Sequence, residues 1–269
     1  MTSQPFYSTI YLSHGGGPLP LLGDKGHTAL VQQLKQIAEQ SRKPDRVVLL
    51  SAHWEASQFQ VMSQTAPALF YDYHGFPAEA YSLRYPAPGS PALANTIIKA
   101  LTEAGIAAGE ETRRGFDHGM FVPLSIMYPK ADIPVVQVSL QQSLHAAQHI
   151  QLGQILARCL PANTQLIGSG FSFHNMASFQ RAGRDDHEMN AAFQDWLVDA
   201  IAGENVCAAD RQQKLEQWKQ APYARYCHPR EEHLIPLHTC FGREMRKADQ
   251  YYQSMVLDKL ATTFVWQET

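Results

Sequence analysis

Charge is the first thing this 269-residue sequence has little of: Asp, Glu, Lys and Arg make up 17%, and 22 basic against 25 acidic residues leave a net charge of -3. Without a basic field nothing gathers phosphates, so nucleic acid is not an expected partner. No apolar run approaches the ~20 residues that a bilayer crossing needs, so no membrane partner is expected either. The opening MTSQPFYSTIYLSHGGG has no charged segment leading into an apolar one with a cleavage site, and reads as no signal peptide. Cysteine is sparse as well. Cys159, Cys207, Cys227 and Cys240 form no C-x-x-C pair, which suits reduced thiols in a cytoplasmic protein.

Histidine, in contrast, is abundant: there are 12, several in apolar or glycine-rich settings. Their positions depend on the elements that carry them. STIYLSH, RVVLLSAHW, IPVVQVSL and TQLIGSGFSFHN read as buried strands, and ATTFVWQ as a last strand. HTALVQQLKQIAEQSR, SPALANTIIKALTEAG and AAQHIQLGQILARCL have apolar residues at helical spacing; the second begins on Ser-Pro and stops at Gly. Asp185 to about Gln220 reads as further helix. Strands alternating with helices predict an α/β fold: a central, mostly parallel or mixed sheet flanked by helices. With 45% hydrophobic residues and no linker or repeat, residues 1–269 are expected to form one catalytic domain.

Three of the expected strands end in histidine: His14 opens HGGGP, His53 precedes Trp54, and His174 precedes Asn175. Ligands of open α/β sheets bind at the carboxyl ends of strands, and converging imidazoles suit divalent iron, zinc or copper. The glycines after His14 are expected to leave room beside such a metal. His118 in GFDHGMFVPL, with His228 and His233 in CHPREEHLIPL, are further candidates. One histidine at a strand end is more often a structural residue than a ligand; three such ends shift the balance toward a site. His27, His145, His149, His187 and His238 lie in helix-patterned stretches and read as surface or structural. Tyr73, His74 and Phe116 are candidate substrate contacts in aromatic-rich loops, and Arg84, Arg225 and Arg230 are candidate partners of a substrate carboxylate.

SHGGGP, SAHWE, YDYHGFP, YPAPGSPALA, GFDHGMFVPL, GSGFSFHN and HPREEHLIPL, in this order from His14 to about Gly242, resemble the class III extradiol ring-cleavage dioxygenases, and more narrowly their DOPA dioxygenase-like branch. The resemblance implies a single α/β domain that opens a catechol ring with O2 at a mononuclear non-haem Fe(II), giving a semialdehyde. It implies that His14 and His53 bind the metal with His233 as a further ligand. His174 is then an acid/base or a fourth ligand, and His118 positions substrate and oxygen without binding the metal. Better-known members use two histidines and a glutamate; here His233 stands near the carboxylate position, preceded by Glu231 and Glu232. Zn(II) is the other metal these ligands would hold in purified protein. Two other classes remain open at this stage: a zinc-dependent hydrolase, and a non-catalytic metal-binding protein on the same fold.

Overall fold

YSTIYLS and TQLIGSG are buried at every position, as central strands covered on both faces must be, which is why they read as continuous apolar runs rather than alternating ones. They belong to a computed structural model that describes residues 4–179 and 184–268. Its strands are β1 (Tyr7–Ser13), β2 (Arg46–Ala56), β3 (Phe59–Met62), β4 (Ala108–Glu111), β5 (Val135–Gln141), β6 (Thr164–Gly170), β7 (Gln250–Val256) and β8 (Lys259–Gln267). Its helices are α1 (Thr28–Gln40), α2 (Pro91–Glu103), α3 (His118–Met127), α4 (Ala146–Cys159), α5 (Met176–Phe179), α6 (Arg184–Ala202), α7 (Ala208–Glu216), α8 (Ala224–Cys227) and α9 (Ile235–Glu244). The strands make one mixed sheet in the order β4-β3-β5-β2-β6-β1-β8-β7. Its centre, β5-β2-β6-β1, is parallel, while β3 and β8 pair antiparallel to β5 and β1.

Successive residues of β2 feed opposite faces. Val47 and Leu49 pack with Leu30, Leu34, Phe121 and Leu124 from α1 and α3; Val48 and Leu50 pack with Leu93 and Ile97 of α2 and Leu152 and Ile155 of α4. At the carboxyl edge, register sets Leu12, Ser169 and Ser51 in one row across β1, β6 and β2. His14 and His53 come just beyond that row. There β2 shifts register against β5 between Leu50 and Glu55, the kind of irregularity that re-aims side chains near active sites.

The expected α/β architecture holds, with differences in detail. β3 and β4 have four residues each, β4 (AGEE) without a large apolar side chain, and β7 is a half-exposed strand at the sheet edge. Such edges leave little hydrophobic pattern in a sequence. α3 is a helix where the sequence showed only an apolar run: all its residues but Ser125 are buried, so no polar stripe marks its period. β6 stops at Gly170, four residues before His174, and His53 lies inside β2 rather than at its end. The four cysteines are free, and no helix among the described residues is long and apolar enough to cross a membrane.

Candidate metal centre and active site

His14, placed directly after β1 by its N–H donating to Gly170 O at 3.0 Å, is 1% exposed. Its Nε2 lies 3.0 Å from His53 Nε2, and one ring nitrogen each of His14, His53 and His233 falls within 4.8 Å of the others. Two metal–nitrogen bonds of ~2.1 Å meeting near a right angle put their nitrogens roughly 3.0 Å apart, so the spacing fits two ligands of one ion. The proton positions fit too. The Ser169 hydroxyl donates to Gly119 O at 2.5 Å, so it can only accept from His14 Nδ1 at 3.0 Å, which leaves the His14 Nε2 lone pair bare. Burial holds the His14 and His53 imidazoles well below their ordinary range, and neighbouring imidazoles, His233 for the first and His118 for the second, push the same way. Neutral nitrogens facing each other at hydrogen-bond distance are what a divalent cation would hold together.

His233 and His174 come from different parts of the chain. Beyond β6 the backbone leaves the sheet and pairs with the segment before α9: Phe171 N–H donates to His233 O at 3.1 Å and His174 N–H to Cys227 O at 2.9 Å. Gly170 permits this approach, since a Cβ there would lie 2.0 Å from His233 O. The His174 and His233 rings stack at 3.4 Å with 17° between planes. One oxygen, Glu232 Oε1, accepts from His233 Nδ1 at 2.9 Å and lies 3.0 Å from His174 Nδ1. Burial alone pushes the Glu232 carboxyl up, but the two imidazole contacts outweigh it and hold it well below the usual range. In His233, burial and the His174 ring outweigh the Glu232 contact and bring the imidazole to about 4. Glu231 points elsewhere, to Arg225 at 2.6 Å and Lys219 at 3.4 Å.

His118 is the first residue of α3. The preceding Asp117 does not cap its helix with its side chain. Instead it accepts from Ser51 Oγ at 2.7 Å, Gln137 Nε2 at 2.5 Å and Arg114 Nη2 at 3.2 Å, tying α3 to β2 and β5. Burial, helped by the nearby Asp72, pushes the Asp117 carboxyl up. Arg114 also donates to His53 O at 3.0 Å. Asp72 Oδ1 accepts both His118 N at 3.0 Å and His118 Nδ1 at 2.8 Å, while its buried Oδ2 has no hydrogen-bond partner and sits 3.7 Å from His53 Nδ1. His118 thus groups with His53 and Asp72, and His53 also belongs to the group with His14 and His233. The glycine after it is a packing requirement: a Cβ at Gly119 would lie 2.3 Å from Ser51 Oγ and 3.3 Å from the His53 ring. Gly119→Ala is therefore expected to destabilise the fold by ~1–3 kcal/mol through overpacking, read as a lowered Tm.

The other expected contacts divide. The Tyr73 ring meets His118 edge-on at 5.7 Å, and its hydroxyl donates to Ala80 O at 2.6 Å. His74 is exposed and belongs to none of the histidine clusters. Phe116 is fully buried in the core, its backbone bridged to Leu69, and has no surface to offer a ligand. The HGGG loop packs on His27 rather than opening space, with Gly16 N–H donating to His27 Nε2 at 2.9 Å. Arg225 is engaged by Glu231, Arg230 by Glu55 and Glu232, and Arg84 is exposed. Asp72, Asp117 and Ser169 escaped sequence reading, because a single Asp or Ser carries no spacing that marks it as an imidazole partner.

His228 and His149 are buried structural residues, one near Ser172 O at 2.9 Å and the other near His145 O at 2.8 Å. Burial lowers them to about 3 and about 4. Because the unfolded chain takes up these protons first, near 6.5, the stability they contribute is complete above that value and lost as pH falls through the folded values. The metal-free protein is expected to show a Tm that falls progressively between about pH 6.5 and about pH 3.

Five imidazoles with Asp72 and Glu232, gathered at the carboxyl edge of the parallel strands, make a candidate histidine metal centre on an α/β fold. The model of the family described as the catalytic LigB subunit of aromatic ring-opening dioxygenase matches residues 7–259, and the chain belongs to that family. It is 36% identical to dioxygenase tasH of Hapsidospora irregularis, over 96% of this chain and 84% of that one. It is 35% identical to the 4,5-DOPA dioxygenase extradiol of Beta vulgaris, over 91% of each. Among solved structures, uncharacterized protein JW3007 from Escherichia coli K12 superposes with a TM-score of 0.74 at 26% identity, over 96% of this chain and 98% of that one. The protein is an extradiol ring-opening dioxygenase.

Proposed function

We propose that the protein opens the ring of a catechol with O2 at a single Fe(II) held by His14, His53 and His233. The observation that carries this reading is the convergence of three neutral imidazoles, two of them with Nδ1 already committed to Ser169 and Glu232. Fe(II) at such a site supplies a Lewis acid for the catechol oxygens and an electron path from the ring to O2.

The remaining work falls to the chain. With Nδ1 directed to Asp72, His118 has Nε2 as its working nitrogen and takes the proton from the second catechol hydroxyl. With Nδ1 directed to Glu232, His174 has Nε2 to return a proton during ring opening, and its stacking on His233 would hold it next to an ion bound there. Tyr73 steadies His118 and offers an aromatic edge to the substrate ring. The relatives named for extradiol cleavage of DOPA make that catechol the first to test.

Protein loaded anaerobically with Fe(II) and mixed with a catechol in air is expected to consume one O2 per ring and form a yellow ring-opened product, whereas zinc-loaded protein does not. Absence of O2 uptake across neutral and charged catechols would overturn the proposal.

A further inference from the structure

An open cleft of about 410 Å³ lies over the histidines, and its lining includes His53, His174, His233, Glu232, Glu55 and Arg230. Its mouth is charged. Arg230 donates to Glu55 through both terminal nitrogens, at 2.5 and 2.6 Å, and reaches Glu232 Oε2 at 3.4 Å. The Arg230 side chain is 52% exposed and that of Glu55 21%, so solvent and ligands can reach the pair. Chain geometry ties it to the metal centre: Glu55 follows His53 by two residues along β2, roughly 6–7 Å of strand, and Arg230 precedes His233 by three. A catechol held by its hydroxyls at the histidines spans about that distance before its substituent begins.

We propose that Glu55 and Arg230 are the specificity-determining pair of this site and select a ring substituent that carries both an ammonium and a carboxylate. The inference rests on the catechol reading above and assigns the residues that choose among catechols. A lone carboxylate would capture Arg230 and leave Glu55 unpaired near Glu232. A lone ammonium would capture Glu55 and leave Arg230 only its longer contact to Glu232. A substituent with both charges inserts into the pair and replaces one ion pair by two, so no charge is stranded. The guanidinium fork suits the carboxylate, and Glu55 suits the ammonium.

The test uses four catechols of one ring: DOPA, dihydroxyphenylpropionate, dopamine and methylcatechol. Each kcat/KM is divided by that for methylcatechol, so any general loss of activity in a variant cancels. The Fe(II) protein is expected to favour DOPA over both singly charged catechols. Arg230→Gln should shift the propionate-to-dopamine ratio down by roughly fivefold to tenfold, because a guanidinium meets a carboxylate bidentately, and Glu55→Gln should shift it up by roughly twofold to fivefold, as for an exposed point-charge pair. Dissociation constants measured by calorimetry without O2 should follow the same crossed pattern. Turnover of methylcatechol with ratios that stay put, or that move the same way in both variants, overturns this inference alone. Failure to turn over any catechol overturns the functional reading and this inference with it.

Discussion

Replacing His53 by alanine is expected to leave the protein folded but without bound metal, and to lower ring opening roughly a thousandfold or more. A bound cation contributes several kcal/mol of charge stabilisation in the reaction, and ~4 kcal/mol corresponds to roughly a thousandfold in rate. Of the three proposed ligands His53 is the informative one to remove, because its side chain is 24% exposed and truncation leaves no closed cavity in the core. His14 is 1% exposed and braces Ser169, and its loss would confound ligation with packing. The metal-free Tm of His53→Ala should stay within a few degrees of the unmodified chain, while metal content after loading, measured by elemental analysis, falls to a small fraction. Full metal occupancy together with retained activity would remove His53 from the ligand set.

Glu232→Gln is expected to weaken metal retention and lower activity by roughly 10–100-fold, the usual effect of losing a partner that orients a ligand. One carboxylate oxygen faces Nδ1 of both His233 and His174. An amide oxygen in its place can still accept from both N–H groups but carries no charge, and the NH2 at the second position then faces the Arg230 donor instead of accepting from it. The same change at Glu231, whose carboxylate faces Arg225 and Lys219, is expected to alter neither quantity by more than about twofold, as for exposed ion pairs. Equal responses at the two positions, measured as metal release to a chelator alongside turnover, would show that Glu232 does not orient the histidines. The contrast bears on the acidic pair that precedes His233, since it assigns the neighbouring glutamate to orientation and the histidine to ligation.

Much of the histidine cluster is legible in the residues alone. The strands that end near His14 and His53 are buried on both faces, so their apolar runs are unbroken, and the histidines stand out where the runs stop. The seven ordered motifs carried the family resemblance. His118 was visible as an imidazole between glycines, yet its helix was not, because α3 is buried almost all round and leaves no polar stripe to count. Phe116 and His74 both looked like loop residues able to face a substrate, and only the tertiary packing buries one ring in the core and leaves the other in solvent.

The sequence by itself determined the α/β class and the candidate histidines through residue types and short-range periodicity, and the resemblance carried by its seven ordered motifs chose among those histidines. Only the tertiary structure decided which nitrogens meet, which of two adjacent glutamates turns to the rings, and that Asp72 and Ser169 orient His118 and His14. It also decided that Arg230 closes on Glu55 at the cleft mouth, 175 residues away along the chain. The physical reason is the same in each case. Hydrogen bonds between residues far apart in sequence depend on strand register and loop packing, and a lone Asp, Glu or Ser has no periodic neighbour to announce its partner.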